Sequence, residues 1–173
     1  MSEARTKPVA LRAAPRADRE SAVASDDKLE LKVWLRLLTC ANLIEGQVRN
    51  LLRENFATTL PRFDLLAQLD RAPDGLTMGE LSSRLMVTNG NVTALADALV
   101  REGLVLREAH PSDRRSLCLR LSAEGKRVFD AMTPAHEEWI DQMMGELSRD
   151  ELARLLDLLG KLKRAARRNE RVS

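Results

Sequence analysis

The stretch from Thr77 to Leu121 constrains this chain most, because two short helical patterns, a turn and an alternating hairpin follow one another without a break. Thr77-Met78-Gly79-Glu80 has the form of a capping box: the Thr hydroxyl accepts from the backbone three residues on, and the Glu carboxylate reaches back. Leu81 and Leu85 make the inner face of the helix it opens. Met86-Val87-Thr88 is a turn. A second helix starts at Thr88 or Asn89, with Val92, Leu95, Leu99 and Val100 on its buried stripe. Gly103 stands where a left-handed helix end belongs. Two short helices around such a turn predict a helix-turn-helix. Leu104-Val105-Leu106 then reads as a strand, and His110-Pro111-Ser112-Asp113 as turn chemistry. Leu117, Leu119 and Leu121 alternate with Ser116, Cys118 and Arg120, the period of a strand with one buried face. The hairpin has a polar, basic tip and predicts a wing.

The flanks are helical. Residues 1–26 hold Pro8, Pro15 and charges of both signs with little apolar content, and predict a disordered arm. A solvated tail is the plainer reading of Arg5, Arg12, Arg16 and Arg19; contact with DNA or an anionic ligand is the other. Residues 27–57 predict a long helix with two apolar stripes: Trp34, Leu38, Ala41 and Val48 on one, and Leu37, Ile44, Leu51 and Leu52 on the other. One neighbour cannot cover so broad a surface, so the helix is expected to pack on its own domain and on a second subunit. Residues 58–121 make the winged domain, opened by a helix with Pro61 in its first turn and Phe63, Leu65, Leu66 and Leu69 inside. Residues 122–173 supply two more helices, capped by Ser122 and by the box Ser148-Arg149-Asp150-Glu151, with a basic end from Lys161 to Arg171. That end reads first as a solvated helix terminus favoured by the helix dipole. The expected fold class is mostly α with a small β-wing, dimerised through the N- and C-terminal helices.

Composition narrows the function. A net charge of +2 means that any nucleic-acid reading must rest on where charge sits, and 3% aromatic content without Tyr argues against stacking platforms for single strands. Cys40 and Cys118 fit neither a disulfide framework nor a zinc site and read as buried, reduced thiols. With His110 and His136 the only histidines, no nucleophile–base pair or metal-ligand spacing emerges, so no enzyme, metal or cofactor is expected. His136-Glu137-Glu138 reads as a solvent-facing or dimer-lining histidine before it reads as a metal site. No apolar run approaches a membrane span and no signal-peptide core precedes the domain, so a cytoplasmic protein is expected.

The second short helix presents Thr88, Asn89, Gly90, Asn91 and Thr93 on its first turn, with no acid among them. Asn pairs bidentately with adenine, Thr offers a hydroxyl or a methyl, and Gly lets the backbone approach. Taken alone, Thr-Asn-Gly-Asn is equally a loop and cap; the hairpin decides. Arg107, Arg114, Arg115 and Arg120 lie on or beside it, where Arg suits a narrow minor groove, and Asp113 is placed to brace the wing. Thr77 joins these as a candidate DNA contact.

Leu81-Ser-Ser-Arg-Leu, the second short helix from Thr88 to Arg101, Arg101-Glu-Gly-Leu-Val, Asp113-Arg-Arg and Leu119-Arg-Leu-Ser-Ala-Glu-Gly resemble the MarR family of bacterial transcription regulators over residues 30–165. Asp113, Arg115, Ser122 and Gly125 match its wing pattern. The resemblance implies a homodimer on a palindromic double-stranded operator, acting as a repressor that a small ligand relieves. Met86-Val-Thr-Asn-Gly-Asn-Val-Thr with Leu60-Pro-Arg-Phe-Asp resembles regulators of aromatic-acid catabolism, some of which answer to hydroxycinnamoyl-CoA thioesters. It implies an aromatic ligand bounded by Trp34, Leu38 and Phe63, with Arg36, Arg49 or Arg53 at its anionic part. Two other readings stand beside this one: a redox sensor acting through Cys40, and a winged helix used only for protein contacts.

Overall fold

The computed structural model describes residues 28–110 and 113–170, apart from the side chains at 89, 110, 113–116, 169 and 170. The elements are α1 (Leu29–Phe56), α2 (Leu60–Asp70), β1 (Leu76–Thr77), α3 (Met78–Leu85), α4 (Asn89–Arg101), β2 (Val105–His110), β3 (Asp113–Leu121), α5 (Ala123–Met143) and α6 (Arg149–Glu170). The chain divides into two compact units, Met1–Glu45 and Gly46–Ser173, and α1 crosses the division. The arm expected over residues 1–26 lies outside the described residues.

In the first unit, Leu29, Leu31, Val33, Trp34 and Leu43 are all exposed along α1. Cys40 is exposed too, which corrects its reading as a buried thiol. A small residue in a helix is buried only if something packs over its face, and periodicity does not say which face that is.

The second unit is built on leucine. Leu52 of α1, Leu65, Leu66 and Leu69 of α2, Leu81 of α3, Leu99 of α4 and Leu119 of β3 are all fully buried. Each such side chain is worth roughly 1.5–3 kcal/mol relative to exposure. Val92 and Ala96 complete the inner stripe of α4, while Leu95 and Val100 are only half-buried.

Caps set the boundaries. At α3 the Thr77 Oγ1 accepts from the Glu80 N–H at 3.3 Å, and the Glu80 carboxylate accepts from the Thr77 N–H at 2.8 Å. Ser148 and Glu151 repeat the arrangement at α6. At the end of α4, Gly103 has φ +73°, the Leu104 N–H donates to Leu99 and the Gly103 N–H to Val100. This double closure satisfies carbonyls that the helix leaves open, and the left-handed step suits glycine. Met86 ends α3 in the same region, at φ 54°, without being glycine.

The sheet has three strands in the order β1-β3-β2, not two. Leu76 and Thr77 pair antiparallel with Leu119 and Cys118. Two residues are too few to show alternation, and Thr77 already serves as the cap of α3. The expected inward row of Leu117, Leu119 and Leu121 also changes. Leu117 is exposed because the hairpin runs out past the core, whereas Cys118 and Leu119 are both buried. Cys118 is covered by the turn before β1, where its Sγ lies 4.0 Å from the Asp74 carbonyl oxygen.

Candidate nucleic-acid interface

Helix α4 buries Val92, Ala96 and Leu99 and turns Thr88, Gly90, Asn91 and Thr93 outward. Its first turn holds no acid, so the partial positive charge of its N-terminus is not cancelled there. Thr88 is the N-cap in extended geometry but makes no side-chain cap bond. The Asn89 side chain lies outside the described residues. Thr77 stands apart: its hydroxyl is engaged by Glu80 from both sides, so its first role is to start α3.

Gly90 is informative because, beyond its chain neighbours and the backbone of its own helix, no described atom lies within 4 Å of where a Cβ would sit. The fold does not ask for glycine there. Gly90→Ala is therefore expected to stabilise the chain by about 0.5–1 kcal/mol through helix propensity, read as a higher urea midpoint. If α4 lies against DNA, the same change weakens duplex binding; equal or tighter binding would remove Gly90 from the interface.

The wing is anchored at its base. Arg107 of β2 forms an ion pair with Asp97 of α4, which joins the hairpin to the helix. Arg120 of β3 pairs with Glu108 of β2 at 3.4 Å. Such exposed pairs add little stability but fix direction. Arg107 is thus engaged within the protein as well as being a candidate contact. Asp113, Arg114 and Arg115 lie on β3, with Asp113 opposite His110 across the hairpin; their side chains lie outside the described residues.

Behind the hairpin, the Ser122 Oγ accepts from the Gly125 N–H at 2.8 Å and donates to the Gly103 carbonyl at 2.6 Å. The end of α4 and the start of α5 are joined through this one hydroxyl. A second tie runs from the first turn of α2 to the C-cap of α4. Arg62 donates to Glu102 through both terminal nitrogens, with Nη1 to Oε1 at 2.8 Å. This bond holds the Arg62 pKa above and the Glu102 pKa below their ordinary values. Ser122 was expected as the cap of α5, but neither its bond to Gly103 nor the Arg62–Glu102 pair was. Forty positions separate Arg62 from Glu102, and no local pattern connects them.

The expected ligand residues are divided between the units. Trp34 and Arg36 are exposed and Leu38 is half-buried in the first. Arg49 and Arg53 are exposed in the second, where Arg53 donates to Asn50 at 3.1 Å. Phe63 is buried at 5% exposure, its ring 4.6 Å from that of His136 and 5.4 Å from that of Phe129. His136 is accordingly stacked and half-buried, not solvent-facing. Among the described residues no group of three His, Cys, Asp or Glu is placed to hold a metal.

Burial pushes the His136 pKa below the usual histidine range, and Glu137 only partly opposes it. The folded ring resists a proton that the unfolded chain accepts near pH 6.5. Its contribution to stability is full above that pH and is lost as the pH falls below it. Wild type is expected to lose more stability between pH 7.5 and 5.5 than His136→Phe, which keeps the stack; parallel losses in urea titrations would contradict this.

A profile of the MarR family matches residues 58–117, the helix-turn-helix and most of the wing. The transcriptional regulator YsmB of Bacillus subtilis is 30% identical over 128 residues, covering 74% of this chain and 86% of its own. The chain belongs to the MarR family. The repressor YetL of Bacillus subtilis is 34% identical over 102 residues, covering 58% of this chain and 61% of its own. The crystal structure of a MarR-family regulator from Silicibacter pomeroyi aligns with a TM-score of 0.69 at 29% identity, over 82% of this chain and 99% of that one. The chain spans 53% and 61% of the length of the first curated relatives it matches. As a MarR-family chain it places α4 and the hairpin where the family profile lies. No helix among the described residues is long and apolar enough to cross a membrane.

Proposed function

We propose that this chain is a transcription regulator that binds a palindromic duplex operator as a homodimer, represses from it, and leaves it on binding a small aromatic ligand. The observation that carries the reading is the outward, acid-free first turn of α4 beside a hairpin tied to it by Asp97 and Arg107. Thr88–Thr93 read base edges, Arg114 and Arg115 reach the minor groove, and Asp113 and Arg107 steady the wing. Dimerisation uses α1, where Leu29, Leu31, Val33, Trp34 and Leu43 lie exposed, and α6, where a row of leucine does. YetL supports the repressing sign.

The ligand reading rests on residues: Trp34 and Leu38 carry the apolar contact, and Arg36, Arg49 and Arg53 the anionic part of an aryl acid or its CoA thioester. Phe63 belongs to the core of the second unit.

The test uses duplexes selected from a random pool by the full chain. Arg115→Ala is expected to weaken the selected duplex by roughly 1–3 kcal/mol in fluorescence anisotropy. Unchanged affinity removes Arg115 from the interface, and failure of wild type to enrich any duplex overturns the operator reading.

A further inference from the structure

The turn between α3 and α4 carries a side chain that the fold does not explain. Met86 ends α3 at φ 54° and ψ 38°, left-handed backbone that glycine adopts freely and other residues adopt at a cost. The closure there needs no side chain, since the N–H groups of Met86 and Val87 both donate to the Ser82 carbonyl. Nor does Met86 fill the core. At 84% exposure it is the most exposed large apolar side chain among the described residues, and Val87 beside it is 47% exposed. Glycine here would close the helix equally well and leave no apolar surface in water.

Two observations point to what covers this surface. It is continuous with the candidate DNA interface, because Val87 leads directly into Thr88 and the outward first turn of α4. Its charge is also of one sign. From Leu81 to Ala96 the sequence holds no acid and a single cation, Arg84, which is exposed and forms no ion pair among the described residues. An apolar knob two residues from a free guanidinium suits a polyanion that also offers a small apolar group. In the major groove of duplex DNA that group is the C5-methyl of thymine.

We propose that Met86 packs on a thymine methyl in each half-site, while Arg84 meets a neighbouring phosphate. The reading head then has two kinds of reader: polar side chains on α4 for base edges, and a thioether in the turn for a methyl. The methionine side chain is long, unbranched and polarizable, so it adapts its reach to the groove. Covering two apolar groups that otherwise stand in water offsets the cost of a left-handed methionine. This inference rests on the operator reading and adds one position of base preference to it.

The experiment uses the duplex that the full wild-type chain selects from a random pool. In further copies, symmetry-related thymines are replaced pairwise by deoxyuridine, which removes the methyl and nothing else. In fluorescence anisotropy one such replacement is expected to weaken wild type roughly tenfold, a few-fold for each methyl. Met86→Gly should bind the thymine duplex weakly to the same degree and show no further loss on the deoxyuridine duplex. Its urea midpoint should hold or rise, so that the loss of binding is not a loss of fold. Arg84→Gln should weaken both duplexes alike and lower the salt dependence of binding by about one phosphate per subunit. A wild type indifferent to every replacement overturns the proposal, as does an Arg84→Gln salt dependence equal to that of wild type. Equal methyl dependence in wild type and Met86→Gly at every thymine pair overturns it too, and assigns Met86 to the sugar–phosphate backbone or to a protein contact. If wild type selects no duplex, the operator reading falls and this inference with it; a selected duplex without the methyl dependence sinks this inference alone.

Discussion

Replacing Gly125 with alanine is expected to destabilise the chain by about 3 kcal/mol or more. Gly125 lies in the first turn of α5 and is buried. A Cβ added there falls 2.8 Å from the Leu104 carbonyl carbon and closer still to its oxygen. The obstacle is backbone, so no rotamer relieves it. Leu104 cannot yield either: its N–H closes the end of α4 on Leu99, and its carbonyl accepts from the Ser122 N–H at 3.1 Å. Ser122 in turn holds Gly103 and Gly125. Accommodating the methyl means breaking the joint between α4, the hairpin and α5. At fixed protein concentration the urea midpoint of Gly125→Ala should fall far more than that of Ser122→Ala, which removes one cap worth about 1 kcal/mol. A Gly125→Ala midpoint within experimental error of wild type would show that α5 can start elsewhere without cost.

Gly125 also illustrates what could be read from the chain before its fold was known. Its position matches a family pattern, but the reason for glycine is a contact with Leu104 that no spacing reveals. Signals that act within a few residues were legible: the boxes at Thr77 and Ser148, the cap at Ser122, the left-handed step at Gly103, and Val92 and Leu99 on the inner stripe of α4. Features made by distant segments were not. β1 is too short for a period, and it exists because β3 offers an edge at Leu119 and Cys118. The hairpin alternation predicted a buried Leu117 because period two reports the face of a residue, not whether the sheet still has a core beneath it. The same limit applies to the site. Outward residues of α4 followed directly from its inward ones, whereas the pairing of Asp97 with Arg107 and of Arg62 with Glu102 depends on how separate elements meet. Phe63 was legible as apolar, but its stack on His136 was not, since the two are brought together by packing between α2 and α5.

Leu158→Glu combined with Leu162→Glu is expected to convert the proposed dimer to monomer and to weaken operator binding by roughly a hundredfold or more. In α6, Leu155, Leu156, Leu158, Leu159 and Leu162 all stand exposed, with Leu156 at 74% and Leu158 at 61%. An isolated helix face gains nothing from so many leucines; burial against a second copy would. Positions 158 and 162 are one helical turn apart, so two carboxylates there share a face. In the monomer they meet water, and the fold of the second unit, whose buried leucines lie in other elements, should keep its far-ultraviolet spectrum and most of its stability. In a dimer they would be buried without partners, at a cost of several kcal/mol. Sedimentation of wild type at micromolar concentration should show a dimer and the double variant a monomer. The loss of operator affinity follows from geometry: a dimer engages its second half-site at high effective concentration, and a monomer engages one half-site alone. A wild-type chain that sediments as a monomer, or a double variant that stays dimeric and keeps its operator affinity, would separate the exposed leucines of α6 from the two-fold arrangement and require another surface to bring the reading heads together.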